Sequence, residues 1–195
     1  MFFTRSFLYR TLLFLLILIS AVLLFAQNST LITGYSSYNI TSNVTLDKFL
    51  SVDFSSDLSD GIFFGSIASL PSLNTNATKN YNASNNGTTY YVNVSTDSNT
   101  NVDFCIKADG NMVSLANDVI LLANESYSNS TFTNSSIPLL SNELSFTTSY
   151  VKSGDNVLIG SANYYRFLLD IPTAQPSGDY NNTIYFKAVS TGNNC

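Results

Sequence analysis

The chain has 195 residues, with 8 basic and 13 acidic side chains, no His, 2 Cys and 11% charged residues. That composition excludes His-dependent catalysis, His-ligated metal or haem, and any zinc or iron–sulfur site built from four cysteines. So few Lys and Arg, at a sequence pI near 4.3, also argue against nucleic acid as a partner, because phosphate binding needs clustered positive charge.

Residues 1–10 carry Arg5 and Arg10 and no acid, and residues 11–26, TLLFLLILISAVLLFA, are almost wholly apolar. A basic start followed by an apolar run is the pattern of a secretory signal peptide. A retained membrane anchor is the competing reading. Sixteen helical residues reach roughly 24 Å, short of the roughly 30 Å hydrocarbon core, although Arg10 could snorkel from the inner interface. Ala26 offers a cleavage position, and Leu24 departs from the small-x-small rule there. Under both readings residues 27–195 are exported, with the basic end inside. The expected organisation is therefore 1–26 as signal peptide or membrane anchor, 27–46 as an N-terminal extended segment, and 47–195 as one domain. Without residues 1–26 the chain keeps 6 basic and 13 acidic groups, a net charge of −7.

From about residue 44 apolar and polar residues alternate at period two, the signature of half-buried strands. FLSVDF places Leu50, Val52 and Phe54 on one face. GIFFGSI (61–67) reads as a short strand interrupted by Gly65. TTYYVNV (88–94) turns Tyr90, Val92 and Val94 inward and Asn93 outward. NVDFCIKA (101–108) offers Val102, Phe104 and Ile106, and NDVILL (117–122) is a further strand. LSFTTSYV (144–151) offers Leu144, Phe146 and Tyr150. YYRFLLDI (164–171) offers Tyr165, Phe167, Leu169 and Ile171, and NTIYFKAV (182–189) offers Ile184, Phe186 and Ala188. Beyond the export segment no stretch has helical period. The tracts 72–87 and 124–136 are polar and read as exposed connections. About eight short strands in one domain predict an all-β fold, an antiparallel immunoglobulin-like or jelly-roll β-sandwich preceded by the N-terminal hydrophobic helix. Gly178-x-Tyr180 before the last strand resembles a tyrosine corner, in which the phenol bonds back to nearby backbone. The Cys usual two residues later is Asn182 here, so any disulfide differs from the antibody type.

Asn, Ser and Thr number 24, 29 and 19, over a third of the chain. Eleven Asn-x-Ser/Thr acceptors occur: Asn28, Asn39, Asn43, Asn76, Asn82, Asn86, Asn93, Asn124, Asn129, Asn134 and Asn181. Composition alone would give about six, so the excess points to N-glycosylation of an exported chain. Glycans would supply the hydration that the missing charges do not. Cys105 and Cys195 are the only thiols, and outside the cell they would most simply pair, tying the C-terminus to a strand. Two free or intermolecular thiols remain the alternative.

Catalytic motifs are missing. No His exists to activate the many Ser, and the closely spaced Asp53, Asp57 and Asp60, or Asp97 and Asp103, read as surface charge rather than as a hydrolase pair. Asp97, Asn99, Asn101 and Asp103 are spaced like the opening of a calcium loop. However, Val102 stands where an EF-hand needs Gly, and Ala108 stands in place of the bidentate Glu. No catalytic, cofactor or metal-binding residue is assigned.

The order GIFFGSI, sequon-rich loop, TTYYVNV, NVDFCIKA, NYYRFLLDIP and SGDYNNTIYFKAV resembles a group of small exported archaeal surface proteins. More loosely, the last two segments resemble the ends of camelysin/TasA-type matrix-fibre subunits and archaeal bundling pilins. The resemblance covers roughly residues 45–195. It implies the sandwich fold, and assembly in which an N-terminal strand of one subunit completes the sheet of its neighbour. LITGYSSYNITSNVTL (31–46), rich in β-branched and aromatic residues, could be that strand; a first strand of its own sandwich, or a stalk behind an uncleaved anchor, are the alternatives. The expectation is a non-enzymatic, extracellular or cell-surface glycoprotein that self-associates into a filament, pilus or coat. The alternative is a membrane-anchored monomeric adhesin or ligand-binding module.

Overall fold

The computed structural model describes residues 3–27, 43–82 and 87–195, with the side chains of the first helix described over residues 9–22. The chain divides into two compact units, Met1–Thr45 and Leu46–Cys195. In the first, α1 (Phe3–Gln27) forms over 25 residues free of Gly and Pro, as expected for a Leu-rich run with high helix propensity. The Ser20 hydroxyl inside that run donates to the Ile17 carbonyl at 2.8 Å, a local bond that satisfies a polar group among apolar neighbours. Among the described residues no helix is long and apolar enough to cross a membrane. Most of the predicted extended segment, residues 28–42, lies outside the described residues, and residues 43–46 have no regular structure.

The second unit is built mostly from strands, all paired antiparallel. In chain order they are β1 (Val52–Phe54), the short helix α2 (Ser56–Asp60), β2 (Ser72–Asn76), β3 (Tyr91–Val94), β4 (Val102–Ala108), β5 (Met112–Ser114), β6 (Val119–Ile120), β7 (Glu125–Ser130), β8 (Leu144–Ser145), β9 (Val151–Val157), β10 (Ala162–Ile171), β11 (Tyr180–Asn181) and β12 (Ile184–Ser190). Six strands make one sheet in the order β1-β3-β10-β7-β8, with β2 also paired to β10. Two three-stranded sheets have the orders β11-β5-β6 and β12-β4-β9.

β10 organises the large sheet. Its odd residues Tyr165 and Phe167 and its even residues Arg166 and Leu168 are all buried, so both faces are covered. Along one side it pairs with six residues of β7, from Tyr164↔Ser130 to Leu169↔Glu125. Along the other it meets β3 and then β2. The seam between those two strands is closed by Asn80. Its Oδ1 accepts from the Phe167 N–H at 2.9 Å and its Nδ2 donates to the Phe167 carbonyl at 2.7 Å, so one side chain replaces a missing strand residue. This meets the requirement that a buried main chain be fully hydrogen-bonded.

The alternation predicted for β3, β4 and β10 produces the core. Tyr90, Val92 and Val94 meet Val102, Phe104, Ile106, Val157, Tyr165 and Phe167 in one cluster fed by the six-stranded sheet and by β12-β4-β9. Tyr90 packs edge-on to Phe167 at 5.3 Å, and Tyr165 edge-on to Phe186 at 5.3 Å. Burial of each such ring contributes about 1.5–3 kcal/mol. A smaller cluster of Met112, Ile120, Leu169 and Ile171 lies beside it.

Five segments depart from the sequence reading. Residues 61–67 form no strand: Gly61 and Gly65 have φ of +120° and +74°, values only Gly adopts freely. The preceding α2 is a helix that polar-apolar alternation did not predict, capped by the Ser55 hydroxyl accepting from the Leu58 N–H. The tracts 72–87 and 124–136 are not simply solvated connections, because they contain β2 and β7. The single predicted strand over 144–151 is two, since β8 pairs with β7 while β9 pairs with β4, and the chain changes sheets across Thr147–Tyr150.

Candidate assembly edge and sequon surface

β4 lies between two strands of seven residues each, β9 and β12. The β4–β12 register runs unbroken from Ile184↔Ala108 to Ser190↔Val102. Just beyond its ends the Asp109 N–H donates to the Thr183 carbonyl at 2.9 Å and the Thr191 N–H to the Asn101 carbonyl at 3.1 Å. Hydrogen-bonded pairs in an antiparallel ladder recur at every second residue, so Tyr185, Lys187 and Val189 bond β4. Ile184, Phe186 and Ala188 therefore turn their main-chain N–H and C=O groups to the far side. Among the described residues no strand pairs with β12 there. Phe54 of β1 packs edge-on to Phe186 at 5.5 Å, so side chains of the two sheet edges β1 and β12 meet on this flank.

The disulfide Cys105–Cys195 is formed, with Cα atoms 5.7 Å apart and the partners separated by 90 positions in sequence. Cys105 is opposite Lys187 in the ladder, and the Lys187 ammonium donates to the Cys195 carbonyl oxygen at 2.7 Å. The C-terminal tail is thus fixed against the outer face of β4 and β12. Lys107 completes this face, with its ammonium 4.8 Å from the centre of the Tyr150 ring and 5.1 Å from that of Tyr185, a cation–π arrangement.

Asp103, also on β4, is fully buried. Its Oδ1 accepts from the Asn156 N–H at 2.8 Å. Its Oδ2 accepts from Lys152 Nζ at 2.7 Å and from the Gly192 N–H at 3.1 Å. Burial pushes this carboxyl pKa up, but the donors from Lys152, Asn156 and Gly192 outweigh it and the net shift is downward. Of the residues with calcium-loop spacing, Asn99 instead binds the main chain of Phe49 and Asp47, and Asn101 binds Asn156. Three of the four side chains are therefore committed to protein partners, Asn101 and Asp103 both to Asn156. Among the described residues no group of three His, Cys, Asp or Glu side chains is placed to hold a metal ion.

Eight of the eleven acceptor asparagines fall among the described residues, while Asn28, Asn39 and Asn86 lie outside them. Asn43, Asn76, Asn134 and Asn181 are exposed, and Asn82, Asn93, Asn124 and Asn129 are half-buried. A sugar is attached through Nδ2, so what that atom does matters. Asn134 uses only Oδ1, which accepts from the Ser136 and Ile137 N–H groups. Asn76 and Asn129 donate Nδ2 in long 3.5 Å contacts, to the Asn74 carbonyl and to Asn163 Oδ1. Asn93 stands on β3 opposite Asp53 and Ala162, on the face away from the core. There it lines a hollow of about 560 Å³ with Tyr91, Tyr164 and Thr131.

Tyr180 donates its hydroxyl to the Pro176 carbonyl at 2.7 Å and accepts from Gln175 Nε2 at 2.9 Å, so the phenol does bond back to nearby backbone. Sequence reading missed three buried polar residues. Arg166 donates to the Pro138 and Asn134 carbonyls at 2.8 and 2.6 Å and lies 4.3 Å over the Tyr81 ring. Glu125 accepts from Asn182 Nδ2 at 2.7 Å. Its pKa is pushed up to about 6 by burial, with Asn182 opposing and Asp109 adding to the rise. Asn80 is the third. The available signal was an acid or base inside a stretch flanked by strand residues, as in Tyr-Tyr-Arg-Phe-Leu-Leu.

No family model, curated protein or solved structure matches the chain.

Proposed function

We propose that this chain is a non-enzymatic exported cell-surface protein, the structural subunit of a filament, pilus or surface coat, whose domain is an immunoglobulin-like or jelly-roll sandwich. In this reading α1 is its signal peptide or anchor, and some of its acceptor asparagines carry glycans. The observation that carries the reading is β12, a regular seven-residue edge along which the outward main-chain groups of Ile184, Phe186 and Ala188 have no partner among the described residues, while the Ser190 carbonyl at its end accepts from the Asn193 N–H at 3.0 Å. An open edge of that length is a template for another strand. The segment 27–46 of a neighbouring copy is the proposed occupant. The Cys105–Cys195 bridge agrees with an oxidising exterior, and the Tyr180 hydroxyl bond agrees with a tyrosine corner. The likeness to camelysin/TasA-type fibre subunits and archaeal bundling pilins belongs to the same proposal.

The test is electron microscopy of the exported protein, paired with N-terminal sequencing. Long polymers whose subunits start near Gln27, and which vanish on deletion of residues 27–43, are the expected result. Fibres unchanged by the deletion would refute strand donation.

A second reading, a membrane-anchored monomeric adhesin or ligand-binding module, is favoured by a cleft of about 720 Å³ beside the smaller cluster, lined by Phe64, Ile67, Met112, Ile120, Leu169 and Ile171 among others. Apolar clefts of this size suit small ligands. A membrane-bound monomer with Met1 intact would decide for it.

A further inference from the structure

The hollow around Asn93 lies on the face of the large sheet that points away from the core. Its floor is set by register. Asn93 has Asp53 on one side and Ala162 on the other, and the single methyl of Ala162 leaves space beside the amide that a larger side chain would fill. Two residues back on the same face is Tyr91, directly paired with Tyr164. Their rings have centroids 5.5 Å apart and are tilted by 51°, so together they form one aromatic wall. Gly160 and Ser161 line the hollow as well, and Thr131 and Asp53 add a hydroxyl and a carboxylate. Among the described residues the Asn93 amide makes no side-chain hydrogen bond, whereas the amides of Asn76 and Asn129 donate to protein acceptors.

We infer that Asn93 carries a glycan whose first sugar is seated in this hollow, with its apolar face on Tyr91 and Tyr164 and its hydroxyls toward Asp53 and Thr131. The inference rests on the reading that the exported chain is N-glycosylated, and it goes further by separating one acceptor from the rest. A pyranose has a C–H face that can be buried against an aromatic ring and a rim of hydroxyls that need donors and acceptors. An aromatic wall with a few polar groups meets both needs. The two rings are already packed on each other, so little ordering entropy is lost when the sugar docks. Asn134 and Asn181, exposed and away from this aromatic pair, would carry sugars that project into water. The glycan on Asn93 therefore belongs to the fold, and the others serve hydration.

The experiment uses the full chain exported from a host with an N-glycosylation pathway. Site occupancy is read by mass spectrometry, and the rate of enzymatic release from the native protein is followed at each modified site. The Asn93 glycan is expected to be released at least tenfold more slowly than those on Asn134 and Asn181. Tyr164→Ala should bring its rate up to theirs, and Tyr164→Phe, which keeps the ring, should leave it slow. Release at Asn93 as fast as at Asn134 in the unaltered protein overturns the seat while leaving glycosylation standing. An Asn93 that stays bare while other acceptors are filled also overturns the seat alone. Eleven bare asparagines overturn both. If Tyr164→Ala fails to fold, the comparison between sites in the unaltered protein and in Tyr164→Phe still decides.

Discussion

β9 and β12 are both seven residues long and both flank β4, yet they are finished differently. β9 breaks its register with β4 between Val102 and Phe104 and again between Phe104 and Cys105. Asn156 sits at φ +47°, and Lys152 spans Asp103 and Asp155. The Ser153 carbonyl is taken by Asn163 Nδ2 at 3.0 Å. At Gly154 a Cβ would come within 2.9 Å of that same amide, so the position must lack a side chain. Bulges, charge and capture of the free carbonyl are the usual ways of closing an edge to further strands. β12 carries Lys187 and its Ser190 carbonyl accepts from the Asn193 N–H at 3.0 Å, but its register has no bulge and the outward main-chain groups of Ile184, Phe186 and Ala188 are left without a partner among the described residues. The contrast locates the open flank of the domain in a chain with very few Lys to guard edges in general.

The largest effect should come from the bridge beside β12. Removing it with Cys105→Ala and Cys195→Ala frees a 90-residue loop, and in the chain-entropy model that costs roughly 4–5 kcal/mol. Denaturant unfolding measures the loss. Hydrogen exchange under native conditions should show β12 amides speeding up more than those of β9, because the tail held by Lys187 lies on the β12 side. Equal acceleration of the two would mean that the tail does not support β12.

The complementary change is Asp103→Ala, which leaves the Asn156 and Gly192 N–H groups and the Lys152 ammonium without their acceptor. The expected cost is about 3 kcal/mol, with exchange increasing in β9 rather than β12. The carboxyl pKa is lowered in the folded state, so its stabilisation is present above the ordinary Asp range and is lost as pH falls below about 4. Acid should therefore loosen the β9 edge in the unaltered protein but add nothing in the Asp103→Ala variant.

Glu125 provides a control of opposite sign that touches neither edge. Burial pushes its pKa up to about 6, above the ordinary Glu value of about 4.5, so the folded state holds the proton more tightly. Stability from this group is full below about pH 4.5 and is lost as pH rises through 6. Glu125→Gln keeps an oxygen for Asn182 and removes the buried charge. It should raise stability by about 2 kcal/mol at pH 7–8, and by nothing at pH 4, with the difference between β9 and β12 exchange unchanged.

How far the fold could be read from the chain depended on how apolar each strand is. β3, β4 and β12 place hydrophobic residues at every second position, β10 is apolar enough to be buried on both faces, and the inward residues Val92, Phe104 and Phe167 are buried as the period-two pattern requires. β7 reads Glu-Ser-Tyr-Ser-Asn-Ser and has no such pattern. Its position beside β10 comes from six register pairs, with Tyr127 as the only large apolar side chain. Main-chain pairing with a strongly patterned neighbour overrides weak local preference there. β2 is similar, and Asn80, which completes it, acts through an amide that composition marks only as polar. The disulfide was legible because two thiols allow one pairing, and the outward face of Asn93 because strand periodicity fixed it. The hollow beside Asn93 was not, because it depends on Ala162 and Tyr164, more than sixty residues away in sequence and adjacent only through register.

The smallest expected change in stability carries the most information about the β12 edge. The Ala188 N–H points away from β4, so proline there removes no hydrogen bond from the existing ladder, and edge strands tolerate proline at such positions. Ala188→Pro should therefore shift monomer stability by no more than about 1 kcal/mol. A strand arriving at the outer side of β12 would lose a donor at its centre and meet the pyrrolidine ring. Self-association of the exported chain, measured by light scattering or by electron microscopy, should fall at least tenfold. Proline at Lys187, one residue earlier, removes an N–H that bonds β4 and should instead destabilise the monomer by about 3 kcal/mol. If Ala188→Pro weakens the monomer more than Lys187→Pro does, the inward and outward main-chain positions of β12 have been exchanged; if both weaken it equally, both sides of β12 are paired and the open edge is elsewhere. If Ala188→Pro polymerises as well as the unaltered chain, β12 is not the edge through which copies join.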